Sequence, residues 1–281
     1  MKRLFTAFVA ALGTLVLIAA ALVWLLGNRI MSRGYQFTAR PVSAPLNATL
    51  IAEGERLART RGCLGCHGPQ LGGKVFFEEP GVARIVASNL TRARNDYNDA
   101  QLERVIRHGI RSNGRSVVIM PSDMYYHLSD PDLAAIMAYV RSVPDVPDSL
   151  PPYRIGPLGY LGLVTGKFQT IPSQMDHAAP RLPGGEPGAS QLERGRYLAT
   201  TTCTECHGMR FQGGDSVPAL AIVGGYSFEQ FRVLMRTGIP LDGRALGLMK
   251  DVALNRTSYF TDLELLAIYE FLRTLASGRI A

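Results

Sequence analysis

The first pattern along the chain is also the longest. Leu4 to Leu26 gives 23 consecutive positions without a charge. At about 1.5 Å per residue they make roughly 34 Å of helix, enough to cross a hydrocarbon core of about 30 Å. Lys2 and Arg3 precede the run, so the positive-inside tendency keeps the N-terminus in the cytoplasm. A cleaved signal peptide is the competing reading, with Ala19-Ala20-Ala21 as its site. Such peptides have an apolar region of roughly 7–15 residues, and cleavage here would leave Leu22 to Leu26 as an apolar new terminus. The length favours an uncleaved signal anchor over residues 1–27. Trp24, the sole tryptophan, falls near the outer interface, where an aromatic anchor is expected.

Beyond the anchor the apolar spacing is helical and occurs twice. Residues 28–50, with Pro41 and Pro45, lack periodicity and read as a tether. A helix from Ala52 leads into Cys63, and its G-E-R-L-A start at Gly54 is matched by G-R-Y-L-A at Gly195, before Cys203. Gln101 to Arg107, Gly109-Ile110 and Gly114-Arg115 match Gln230 to Arg236, Gly238-Ile239 and Gly243-Arg244 at an offset of 129. Both segments predict a helix ended by a glycine C-cap, Gly109 or Gly238. The last helices match at an offset of 132, each with a cap and an acid three positions on: Ser129 with Asp132, Thr261 with Glu264. Behind the caps, Leu133, Ile136, Met137 and Val140, and again Leu265, Ile268, Tyr269 and Leu272, follow the i, i+3, i+4, i+7 stripe. The repeat predicts two copies of one all-helical unit, at residues 51–144 and 191–281. The first copy is 11 residues longer, and the extra length falls in a loop from Val75 to Asp96. The proline-rich connection at 145–190 holds Tyr153, Ile155, Leu158, Tyr160, Leu161 and Phe168, so it is expected to lie against the two units.

Composition changes this picture little; charge sharpens it. The net charge of +7 invites a nucleic-acid reading, yet residues 1–40 hold five cations and no acid. Only about +2 remains elsewhere, so the basic balance belongs to the membrane end and no nucleic-acid partner is expected.

The chemistry lies in two stretches, Cys63-Leu64-Gly65-Cys66-His67 and Cys203-Thr204-Glu205-Cys206-His207. C-x-x-C-H is the attachment signal for c-type haem. The thiols of Cys63 and Cys66, and of Cys203 and Cys206, form thioethers to the porphyrin, and His67 and His207 bind the irons. A redox dithiol needs no following histidine, and a zinc site needs further ligands near each motif. The four cysteines are the only ones, and both pairs carry the histidine. Two covalently bound haem c groups are therefore expected.

A haem that only passes electrons keeps both axial positions filled. Met120 and Met249 stand at the repeat offset of 129, each five residues after the paired Gly-Arg, and are the candidate sixth ligands. Pro121 favours extended backbone at Met120. The remaining methionines suit packing, and the remaining histidines, His108, His127 and His177, have no repeat partner. Arg115 and Arg244 are candidates for pairing with haem propionates. No Ser/His/Asp set, phosphate loop or dinucleotide fingerprint is present, so no catalytic residue is expected. A haem catalyst or gas sensor would need one half to lack its methionine.

Ser88-Asn89-Leu90-Thr91, Ile106-Arg107-His108-Gly109-Ile110, Asn113-Gly114-Arg115, Met120-Pro121, Tyr126 and Leu128-Ser129-Asp130 together resemble the c-type cytochrome subunits of membrane-bound periplasmic dehydrogenases, the alcohol and gluconate group. Gly156-Pro157-Leu158-Gly159 fits as well, and the similarity covers most of residues 50–280. In that family the histidine of C-x-x-C-H and the methionine of the M-P segment bind iron, which implies His67 with Met120 and, by the repeat, His207 with Met249. This sequence has two haem motifs where the best-known members have three, and its anchor is N-terminal. The resulting expectation is an all-α protein: two tandem cytochrome c-type domains behind a single transmembrane helix of the bacterial inner membrane, facing the periplasm. It would carry single electrons from a periplasmic dehydrogenase or quinone-linked donor to a respiratory acceptor. The competing class is an integral haem c subunit of a terminal reductase or oxidase.

Overall fold

Two helical units are docked side by side at one end of a long apolar helix in the computed structural model, which describes residues 1–38, 40–147, 149–214 and 216–280. Helix α1 (Lys2–Met31) runs past the uncharged stretch and is exposed along almost its whole length. It is long and apolar enough to cross a membrane. The stretch expected as a tether meets the first unit at several of its described residues. Tyr35 donates its N–H to the Gly114 carbonyl, Phe37 stacks on His108, and Val42 is buried in the first core.

The first unit holds α2 (Ala48–Thr60), α3 (Cys63–His67), α4 (Leu90–Ala93), α5 (Asp99–His108), α6 (Ser122–Tyr125) and α7 (Asp130–Ser142). Helix α2 starts at Ala48, four residues before the expected start, because the Asn47 side chain accepts the Leu50 N–H and caps it there. The extra length of this unit is not the expected loop. It forms a hairpin of β1 (Lys74–Glu79) and β2 (Ala83–Ala87), followed by α4, and the hairpin turns at Gly81, whose φ of 78° favours glycine. Strand β3 (Arg154–Ile155), from the connection, adds antiparallel to β2, so the order is β1-β2-β3. The fold is thus mostly helical with one small sheet.

Helix α8 (Pro157–Val164) then packs on the outer end of α1. The rest of the connection crosses the first unit. Tyr126 donates its hydroxyl to carbonyls of the connection, and His177 meets His108 with Nδ1 atoms 2.9 Å apart.

The second unit holds α9 (Gln191–His207), α10 (Phe228–Thr237), α11 (Leu248–Asn255) and α12 (Asp262–Ala276). The caps read from the repeat are present. Gly109 and Gly238 end α5 and α10 in left-handed conformation, Ser129 caps α7, and Thr261 with Glu264 makes a capping box on α12. Each unit is built on one close helix crossing. A Cβ on Gly54 of α2 would lie 1.9 Å from the Ala135 carbonyl oxygen of α7, and one on Gly195 of α9 would lie 2.0 Å from that of Ala267 of α12. The apolar stripes of α7 and α12 fill two separate cores around these crossings.

Candidate functional site

The loop after each Cys-x-x-Cys-His motif has one geometry in both halves. Gly68 and Gly208 end the motif helices with positive φ, and the His67 and His207 carbonyls accept the N–H of Gly73 and Gly213. Between them Leu71 and Phe211 take left-handed conformation, with φ of 57° and 59°. A non-glycine residue there costs on the order of 1–3 kcal/mol and persists only when its surroundings fix it. Both side chains are buried, and both carbonyls accept an N–H from the element that closes the site, Leu90 or Leu220. These two residues escaped the sequence reading. Their signal was the equal spacing from the preceding histidine.

This loop fixes the histidines. Nδ1 of His67 lies 2.8 Å from the Ser88 carbonyl oxygen, and Nδ1 of His207 lies 2.8 Å from that of Pro218. A carbonyl only accepts, so Nδ1 carries the proton in both rings and Nε2 keeps its lone pair. Burial holds both imidazoles below their usual 6.5, although the carbonyl contact opposes it. A neutral ring with a free Nε2 and a tethered Nδ1 is the form that ligates a metal.

In the first half an apolar pocket brings together Cys63, Cys66, His67 and Met120. The β2 strand, α5 and α7 form its walls, and exposed Phe76, Ile119 and Tyr153 stand at its edge. Met120 sits in irregular backbone before Pro121, where a side chain can enter the pocket without a helical register. In the second half Cys203 and Met249 pack against the second core, but Met249 lies in the first turn of α11, not in a loop. Cys206 is exposed, and the second half has no hairpin at this place among the described residues.

The thiols do not suit the dithiol reading. Burial pushes Cys63 up to about 11 and Cys203 up to about 12, whereas reactive thiols are depressed. Nor do three or more His, Cys, Asp or Glu side chains gather into a metal site among the described residues. Four donors lining one apolar cavity fit a haem: two sulfurs would hold it covalently, and an imidazole and a thioether would be available to its iron.

Of the arginines that were candidates for the propionates, Arg115 is exposed and lines no part of this pocket, while Arg244, in the second unit, is exposed near Asp242. Arg61, Arg94 and Arg111 do line the pocket. Arg94 is tied to the Val140 and Val143 carbonyls and to Asp145, and Arg111 is exposed. Arg61 is fully buried between the halves and donates to Thr202 and Asp132. Next to it Arg256 lies over Gly62, where a Cβ would be 2.1 Å from its Cζ, and donates to Glu205 at 2.7 Å. The two motifs therefore meet across the unit interface with two arginines between them.

The cytochrome c family matches residues 51–144. Among curated proteins, the chain is similar to the fructose dehydrogenase cytochrome subunit of Gluconobacter japonicus, with 25% identity covering 84% of this chain and 54% of that protein. It is also similar to the gluconate 2-dehydrogenase cytochrome c subunit of Pantoea cypripedii, at 26% identity covering 82% and 60%. The cytochrome c subunit of the quinone alcohol dehydrogenase of Gluconacetobacter polyoxogenes is 26% identical, covering 85% and 58%. The chain spans less than two thirds of the length of each of these relatives. Residues 51–144 form a cytochrome c domain, and the chain is homologous to the cytochrome c subunits of fructose, gluconate and alcohol dehydrogenases.

Proposed function

We propose that the chain is a membrane-anchored di-haem cytochrome c that takes single electrons from a membrane-bound dehydrogenase and passes them to a respiratory acceptor. The observation that carries this reading is the joint presence of Cys63, Cys66, His67 and Met120 on one apolar pocket, with the His67 ring oriented by the Ser88 carbonyl. Cys203, Cys206, His207 and Met249 would hold the second group, supported by the matching loop and the Pro218 carbonyl. Haem iron supplies one-electron chemistry. The residues of the chain do the rest. Each histidine is kept neutral and oriented, Met120 and Met249 would supply the second iron ligands, and the apolar walls of the first pocket would exclude water. With both iron ligands supplied by the chain there would be no place for a substrate, so the chemistry of oxidation would belong to a partner.

Helix α1 supports the anchor, and Lys2 and Arg3 before it would leave the two units on the periplasmic side. The dehydrogenase partner rests on the homology with dehydrogenase subunits. Three measurements test the reading. Mass spectrometry of the mature chain should show two covalent haems. The reduced wild type should bind no carbon monoxide, while Met120→Ala should bind it at one haem; a wild type that binds it would remove the methionine assignment. Mild detergent extraction should co-purify a dehydrogenase, and a copper or haem oxidase in its place would move the chain to the other end of respiration.

A further inference from the structure

The connection carries a helix whose place is not explained by the haem sites. Helix α8, P-L-G-Y-L-G-L-V, is apolar on every side. It is held at the outer end of α1: a Cβ on Gly27 would lie 2.5 Å from Tyr160, and Val164 shares a cleft with Leu26, Arg29, Ile30 and Arg33. That end of α1 follows directly on the uncharged run that spans roughly the hydrocarbon core. Helix α8 is thus fixed at the level of the membrane surface. Only its glycines are buried, Gly159 and Gly162. Leu158 is 57% exposed, Leu161 43%, and Phe168, which folds back against Gly162, 51%.

We propose that α8 and the turn to Phe168 form a second membrane contact, lying in the interfacial layer of the outer leaflet beside the anchor. This rests on the reading of α1 as that anchor. Two features favour lipid over a protein partner. The surface continues an apolar helix already committed to the membrane. Its charges are also of one sign: Arg29, Arg33 and Lys167 are exposed around it, and residues 1–52 and 149–175 contain no acid. Basic side chains around an inserted apolar face are the pattern of interfacial helices on anionic lipid. The hairpin turn at Gly81, which meets Leu158, carries two exposed carboxylates before it, Glu78, held by Arg84 at 2.6 Å, and Glu79. The contact would clamp the first unit against the membrane, because β3, immediately before α8, is part of the sheet beside the pocket.

Spin-label depth measurement on the full haem-containing chain in vesicles with anionic lipid tests this. Leu158→Cys, Leu161→Cys and Phe168→Cys are labelled in turn, with Leu15→Cys as the anchor control and Leu263→Cys, 80% exposed on the second unit, as the aqueous control. The wild type, whose four cysteines all lie in the two motifs, is the labelling blank. The expected result is an oxygen-to-nickel accessibility ratio at 158, 161 and 168 several-fold above that at 263. Aqueous values at 161 with a lipid value at 15 overturn this contact alone. Low access for both reagents at 161 means a protein covers the helix, and also overturns it. An aqueous value at 15 overturns the anchor, and this contact with it.

Discussion

Arg61 shows how much one residue can carry. Its side chain is fully buried, its ring neighbours are Tyr197 and Phe260, and its Nε has no hydrogen-bond partner among the described residues. A cation in that place is stabilised by Asp132 at 3.3 Å, itself held by the Tyr197 hydroxyl at 2.6 Å. Removing one partner of a buried ion pair costs about 3–5 kcal/mol. Arg61→Met should therefore lower the thermal midpoint sharply. On the proposed di-haem reading, both potentials should fall by on the order of tens of millivolts where that variant matures, since a buried cation favours the reduced form. Spectroelectrochemical titration reads the second effect, and unchanged potentials would make Arg61 purely structural. Nothing in the sequence marked this arginine. It precedes Cys63 in a run of ordinary helix residues, and the Thr202 to which it donates stands directly before Cys203.

At the scale of elements, the two helix crossings are the simplest part of the design to test. Gly54 and Gly195 let α2 and α9 approach the backbones of α7 and α12. A methyl group there forces the helices apart, and overpacking of this kind costs about 1–3 kcal/mol. Gly54→Ala and Gly195→Ala should each lower the unfolding free energy read from denaturant titration by that amount, and with it the midpoint. Gly13→Ala, where a Cβ meets nothing within 4 Å, should leave it unchanged. The elements were legible because their signals are local. Caps at Ser129 and Thr261, glycine stops at Gly109 and Gly238, and the apolar stripes all act within one or two turns. The hairpin from Lys74 to Ala87 was not legible as strands. Its pattern K-V-F-F-E-E is exposed at every position, so there is no alternation to read.

The whole molecule is held together by polar contacts across the two units. Arg56 on α2 donates to Glu264 at 2.8 and 3.1 Å and to the Tyr259 carbonyl at 3.2 Å. Burial alone would raise the Glu264 carboxyl above its usual 4.5, but the Arg56 hydrogen bond and the Thr261 N–H hold it below. A carboxylate lowered on folding contributes stability in full above about pH 4.5, and loses it as pH falls through the lowered value. Asp130, which ties the connection through Arg181 and α5 through Arg107, follows the same sign below its usual 3.8. Denaturant midpoints measured on acidification should fall in this window, and Glu264→Gln should flatten the fall. A variant with the wild-type pH profile would show that the interface does not depend on this pair.

The sequence by itself determined what is short-range: the long apolar N-terminal helix, the two Cys-x-x-Cys-His motifs, the caps, and the repeat of helical pattern between the two units. Each depends on residues within a few turns, or on the same local pattern occurring twice. The tertiary structure alone decided which distant residues meet. It left Arg115 outside the first pocket, put Arg61 and Arg256 between the motifs, and carried α8 from the middle of the chain to the outer end of α1. The reason is physical: burial and contact between residues far apart are set by how whole elements pack, and no local spacing encodes that.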